Sequence, residues 1–310
     1  MENCNESELL DLWVKNQVDN SIVDMVFVKG DTVLGSSGGI ITCKYNATTD
    51  DYLDLSETYL DVTVALTSQS KKTDLDAGNY NCGPVNNLFH SLFSSVDIDI
   101  QSTPVEKCTN YHYQAYMSQI LNRCSGSKDS ELQAQLFYKD TATKFEAVPT
   151  YNSSTQAYGD NEGMKNRLDV FRNSKNVVQL RGRLICDIFN MNKLFINNLN
   201  FTMRLTQTAS NFRLMRANAS DFELSITAAD IYFKKIRPSK YVIESNAAKI
   251  LKQNVVYPIT RTKTEMHAIP TGVSTADIKI TIGGQIPNRV IVGMVLNSAY
   301  TGLDNYNYKL

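Results

Sequence analysis

The run Gly83-Pro-Val-Asn-Asn-Leu-Phe-His-Ser-Leu-Phe93 leads straight into Val96-Asp-Ile-Asp-Ile100. Leu88, Phe89, Leu92 and Phe93 recur at the spacing of one helical turn. Val96, Ile98 and Ile100 then alternate with polar residues, as a half-buried strand does. No loop separates the two periods, so the turn must pack on the strand it feeds. A phosphate loop or a metal cage carries its chemistry in polar residues; this block is made of residues whose use is burial. Gly83-Pro84 is expected to form the tight turn that launches it.

The same two-residue period returns elsewhere. Leu60, Val62, Val64 and Leu66 alternate with Asp61, Thr63 and Ala65, and Phe201, Met203 and Leu205 alternate with Thr202, Arg204 and Thr206. Between Phe222 and Phe233 the apolar residues occupy even positions (Phe222, Leu224, Ile226) and then odd ones (Ile231, Phe233). A strand that changes face near Ala228-Ala229 needs a β-bulge or a corner between two sheets. A sandwich or barrel requires such a device and a flat sheet does not.

Helices are few. Tyr113, Tyr116, Met117, Ile120 and Leu121 share one helix face, Ser130 and Gln133 have the spacing of a capping box, and Ile243, Ala247, Ile250 and Leu251 follow Pro238. Strand and helix do not alternate regularly, which excludes a parallel α/β sheet. The expected fold is mainly β, a jelly-roll sandwich with short helices inserted in its loops. Residues 1–50 lack sustained periodicity and are broken by Gly35-Ser-Ser-Gly-Gly39, so they are expected to form an arm. The first jelly roll is expected over 51–237 and a connector helix over 238–254. Residues 255–310 are expected to form a further β-rich stretch, with Ile278, Ile280 and Ile282 alternating and Val290-Ile-Val292 as a covered strand.

Composition excludes several function classes. With 31 basic and 32 acidic residues, no excess charge marks the chain for nucleic acid or an anionic membrane. No apolar run reaches the length of a membrane span and Met1 opens no signal peptide, so an intracellular, non-secreted protein is expected. The six cysteines form no Cys-x-x-Cys pair and are expected as small buried hydrophobes. His90, His112 and His267 share no metal-binding spacing, which disfavours a metal cupin, and His90 is expected as a core imidazole. Asp97-Ile-Asp99 is expected to be an ordinary half-exposed strand motif, and Gly35–Gly39 lacks the Lys-Ser/Thr of a P-loop. No Gly-x-Ser-x-Gly elbow is present. Two basic clusters, Lys234-Lys-Ile-Arg237 and Arg213-x-x-Arg216, are expected at solvated strand or loop ends. No cofactor, metal or catalytic residue is expected.

Several blocks in collinear order resemble a known family. They are Gly83–Asp97, Tyr111-His-Tyr-Gln-Ala-Tyr116, Leu132–Thr141, Gly182–Phe189, Asn197–Leu205, Tyr257-Pro-Ile-Thr-Arg261 and Gln285–Gly293. Over roughly residues 51–300 the chain resembles the double jelly-roll major capsid protein of Maverick/Polinton transposons and their adintovirus relatives. The resemblance implies a homotrimeric capsomer of the hexon type, two jelly rolls per subunit, pseudo-hexagonal tiles and an icosahedral shell within a virion. It implies partners that are copies of the chain, neighbouring capsomers and a vertex capsid protein, with no sequence-specific nucleic acid and no membrane span. Residues 255–310 would supply only the opening strands of the second roll, as in a truncated transposon-derived copy. The rivals are a single jelly-roll vertex protein and a lectin-like module. The residues expected to carry the packing are Pro84, Leu88, Phe89, Leu92, Phe93, Tyr113 and Tyr116.

Overall fold

The structure, a computed structural model, describes residues 21–35, 39–68, 82–128, 130–145, 147, 151–152, 157–158, 160–216, 222–273, 275–278 and 286–301. Two antiparallel sheets are built from β1 (Ile22–Lys29), β2 (Ile40–Tyr45), β3 (Tyr52–Ser68), β4 (Phe93–Ile100), β5 (Thr103–Thr109), β6 (Val177–Gly182), β7 (Phe201–Gln207) and β8 (Phe222–Pro238). One sheet has the order β1-β8-β3-β6. The other has β2-β7-β4-β5, with Asp31–Val33 paired outside β2.

The pairings β1–β8, β2–β7, β3–β6 and β4–β5 are those of one long two-stranded ribbon. Strands β1 to β4 run out along it and β5 to β8 return. The ribbon is wound so that its rungs fall in alternate sheets, and the ladders β3–β8 and β4–β7 seal neighbouring turns. This winding is a jelly roll.

Alternation places the core as expected. Leu60, Val62 and Val64 of β3, Val96 and Ile98 of β4, Phe201, Met203 and Leu205 of β7, and Ile231 and Phe233 of β8 are fully buried between the sheets. Each such side chain contributes roughly 1.5–3 kcal/mol of burial. The face change in β8 is a bulge: register slips between Ile226 and Ala228, and Thr227 is the extra residue. A second slip between Tyr232 and Lys234 moves the buried set back to even positions at Ile236.

Residues 22–45, expected within an arm, instead form β1, β2 and Asp31–Val33 in both sheets. Their pattern is weak because β1 is an edge strand whose apolar residues are not sorted by face. Residues 1–20 lie outside the described residues. Residues 36–38 of the glycine-rich run also lie outside the described residues; the Gly35 N–H donates to the Ile40 carbonyl at 3.1 Å.

Gly83-Pro84 is not a turn. Cys82–Pro84 is a short strand paired with Leu214–Arg216, a terminal position at which a missing N–H is harmless. The turn falls instead at Asn86-Asn87, where Asn87 takes a left-handed conformation (φ 56°) just before α1 (Leu88–Ser91). Asn tolerates that region better than other side chains do. The Asn86 amide fixes the corner: Nδ2 donates to the Tyr138 carbonyl at 2.8 Å, and Oδ1 accepts from the N–H groups of Asn87 and Tyr138.

Helix α2 (Tyr111–Asn122) forms where expected but presents a different side. Tyr111, Ala115 and Gln119 are buried, whereas Ile120 and Leu121 are nearly half exposed. Polar bonds made by Tyr111 and Gln119 decide the rotation over the apolar stripe. The Ser130–Gln133 spacing makes no capping box; Gln133–Gln135 is a single 3-10 turn that buries Leu132 and Leu136. Helix α3 (Glu162–Asn173) was not foreseen, although Met164, Leu168 and Phe171 carry its spacing and the Asn161 side chain caps it by accepting from the Met164 N–H. Helix α4 (Lys240–Ile250) occupies the expected connector and buries none of its residues.

Beyond α4 the described residues contain no strand. Ile278 and Val290-Ile-Val292 are exposed, unpaired chain, and Ile280 and Ile282 lie outside the described residues. Alternation produces a strand only where a ladder partner lies alongside, and no described strand does. The segment is instead laid over the jelly roll. Tyr257 Oη bridges the Ile196 N–H and the Leu194 carbonyl, the Thr262 N–H donates to Asp187 at 2.6 Å, and Tyr300 stacks on Tyr113.

Phe89 is fully buried, and its ring meets β6 where a Cβ on Gly182 would come within 2.9 Å. Replacing Phe89 with Ala should cost about 3–5 kcal/mol in chemical denaturation; a loss below about 1 kcal/mol would place the ring outside the core.

Candidate assembly interface

Two of the three histidines, His90 and His112, are buried in the fold. His90 is fully buried: Nδ1 lies 2.7 Å from Tyr111 Oη, and Nε2 lies 3.0 Å from Gln135 Oε1. Tyr111 Oη also accepts the Ile185 N–H, and Gln119 Nε2 lies 3.1 Å from His90 Nε2, so three polar side chains enclose the ring. Burial lowers the His90 pKa to about 3 against the opposing pull of Gln135, which keeps the ring neutral. Burial likewise lowers His112 to about 4, where the ring packs between Tyr113 and Phe212. His267 is on the exposed segment, 3.5 Å from Glu265.

The basic clusters are tied to partners within the chain, although only Arg213 among them is buried. Arg213, expected in a solvated loop, is buried and donates to Thr208 Oγ1, the Thr208 and Leu224 carbonyls and Gln207 Oε1. It ties the end of β7 to the start of β8. A single Arg in a sequence carries no sign of such a role. Lys235 and Arg237 both reach Asp51, at 2.7 and 2.9 Å, and Lys234 reaches Asp54. Burial alone would raise the Asp51 carboxyl, but hydrogen bonds from Lys235, Thr48 and Arg237 hold it down at about 2. Arg167, buried against Asp140 at 3.0 Å, donates through Nε to the Pro84 carbonyl and fixes the short strand before α1. Asp99 of the Asp-x-Asp motif is taken by Arg204 at 2.6 Å.

Leu88, Phe89, Leu92 and Phe93 are fully buried and Pro84 is buried beside them. Tyr113 is 6% exposed in a satellite cluster with Phe212, and Tyr116 packs on its margin with Val295. The expected packing residues therefore divide between one core and one flank. Cys43, Cys82, Cys108 and Cys186 are buried and Cys124 is exposed; Cys4 lies outside the described residues. A crevice lined by Thr58, Tyr59, Leu60, Leu184, Phe189 and Ile231 has an empty volume of about 150 Å³. Ligand pockets run to roughly 300–1,000 Å³. Among the described residues no helix is long and apolar enough to cross a membrane.

Strand β1 and the ends of α4 leave large apolar side chains at the surface. On β1, Val23 is 68% exposed and Met25 57%, with Ile22 at 40%, Val26 at 43% and Phe27 at 48%. Strand β1 pairs with β8 on one side, and no described strand pairs on the other. Tyr241 and Leu251 at the ends of α4 are more than three-quarters exposed. Monomers rarely leave so many large apolar groups together on an open edge.

No protein-family model matches the chain. An uncharacterized protein of Caenorhabditis elegans is 21% identical over 260 residues, covering 81% of this chain and 58% of that protein. Among solved structures, the Sputnik virophage matches 76% of this chain and 52% of its own at 11% identity and a TM-score of 0.48. The Faustovirus major capsid protein matches 78% and 59% at 8% identity and 0.47. The mavirus major capsid protein matches 74% and 49% at 12% identity and 0.35. The chain thus spans between 49% and 59% of the length of these proteins.

Two imidazoles held neutral make folding pH-dependent. Their folded pKa values, about 3 and 4, lie below the unfolded value near 6.5. The stability they allow is complete above pH ~6.5 and falls as the unfolded chain takes up protons below it. Denaturant unfolding should show a loss approaching ~1.4 kcal/mol per pH unit for each imidazole between pH ~6 and ~4.5. His112→Phe should remove one share of that slope; an unchanged slope would mean that His112 titrates normally in the folded chain.

Proposed function

We propose that this chain is a structural capsid protein that acts by self-association and performs no catalysis. The observation that carries the reading is the combination of an eight-strand wound sandwich with an apolar edge at β1 that no second described strand pairs. The sandwich pairs Asp51, Asp61, Asp140, Arg167 and Arg213 internally, so shape and contact area are what its β1 edge offers to a partner. An edge strand exposing Val23, Met25 and Phe27 gives hydrogen-bonding groups and apolar area together, which is the chemistry of subunit contact. The collinear sequence blocks support descent from the Maverick/Polinton and adintovirus capsid lineage. On this reading the assembled form is a trimer tiled into an icosahedral shell, and the protein resides in a virion.

A single jelly-roll vertex protein is the second reading. It is favoured by the lack of any strand among the described residues beyond α4. The two differ in symmetry, since tiles are trimeric and vertices pentameric.

Sedimentation velocity and negative-stain microscopy of the purified chain test the proposal. Concentration-dependent trimers or larger shells are expected, and Val23→Lys with Met25→Lys should leave a folded monomer with an unchanged circular dichroism spectrum. A wild-type chain that stays monomeric up to its solubility limit contradicts the proposal, and closed pentamers replace the tile reading with the vertex one.

A further inference from the structure

One cluster of metal-ligating side chains has no part in the assembly reading. Glu106 and Cys108 are two residues apart on β5, so both point to the same, inward face. Cys186 follows β6 and opens the 3-10 turn Asp187–Asn190. All three are buried, and one donor atom from each lies within 4.8 Å of the others. Cys108 Sγ is 3.1 Å from Glu106 Oε1.

The electrostatics of the cluster are unbalanced. Glu106 accepts the Asp187 N–H at 2.6 Å and the Ile188 N–H at 2.9 Å. Among the described residues, none of the ion pairs includes Glu106 or its buried neighbour Asp187. A buried carboxylate held only by neutral donors is costly. The other buried carboxylates with a salt bridge, Asp51, Asp61 and Asp140, each have an Arg or Lys. Two thiols and a carboxylate lacking such a cation are a donor set suited to a borderline-soft divalent metal.

We propose that Glu106, Cys108 and Cys186 form a structural zinc site, with a water completing the tetrahedron. Around zinc, with bonds of about 2.3 Å to sulfur and 2.0 Å to oxygen, tetrahedral donors stand roughly 3.3–3.8 Å apart. Small side-chain rotations bring the cluster to that spacing. Binding converts two thiols to thiolates and releases two protons to solvent, and no oxidant is involved. The site has a mechanical use. β5 is an outer strand of one sheet and β6 an outer strand of the other, and the chain between them is long. A metal held by β5 and by the turn after β6 staples the two sheets where no ladder joins them. Through Asp187 and Thr262 the staple also reaches the segment beyond α4.

The test uses the native full chain and zinc or cobalt alone. Elemental analysis should find equimolar zinc. Cobalt exchanged into the folded wild type should give a thiolate-to-cobalt charge-transfer band in the near ultraviolet, lost in Cys108→Ser and Cys186→Ser and kept in Cys124→Ser. Chelation should lower the melting temperature of wild type. The cobalt spectrum of folded wild type decides the matter even if the serine variants fail to fold. Metal-free protein that gives no cobalt band overturns the proposal, as does a mass two daltons low that shows the thiols joined to each other. Neither result bears on capsid assembly, which is read by sedimentation.

Discussion

The ladder between β3 and β8 holds the molecule together. Both strands run 17 residues, from Phe222 opposite Ser68 to Ile236 opposite Tyr52, so they pass through the whole depth of one sheet. A regular strand of that length would send its side chains to fixed faces regardless of the curvature beneath it. The slips at Thr227 and near Phe233 let β8 turn with the sandwich while Leu224, Ile231, Phe233 and Ile236 all stay inside. The rest of the winding hangs on this ladder, since among the described strands β1 pairs only with β8 and β6 only with β3.

Much of that spine was legible in the sequence because β3, β4, β7 and β8 are each covered on one face, and one-sided burial writes a period of two. The bulge was legible for the same reason, as a change of parity. Edge strands were not. β1 is apolar on both faces and reads as an unsorted run, and β5 and β6 are short. The rotation of α2 was hidden because Gln119 and Tyr111 win their burial by hydrogen bonds, which hydrophobic periodicity does not register. Beyond α4 the alternation of Ile278–Ile282 and Val290–Val292 suggested strands, but a period specifies a face only once a neighbouring strand exists. The packing residues around Phe89 were recognisable from sequence, whereas Asn86, Arg167 and Arg213, which position them, had no pattern to announce them.

The polar interior and the apolar exterior are two sides of one arrangement. Asp51, Asp61, Asp140, Arg167, Arg213 and His90 are each partnered within the chain. Groups that might have formed a charged or catalytic surface are thereby spent on corners and strand ends. The surface that is left, from Ile22 to Phe27 and at the ends of α4, offers hydrophobic area and open backbone groups. That edge is the feature on which the proposed self-association rests.

Hydrogen exchange followed by mass spectrometry at low and high protein concentration addresses the whole scheme at once. The β3–β8 amides from Leu60 to Leu66 and from Ile231 to Ile236 should exchange slowest at both concentrations. The amides of Ile22–Lys29 that face away from β8 should be fast when dilute and become protected when concentrated. Rapid exchange in the β3–β8 ladder, or a β1 edge indifferent to concentration, would contradict the account.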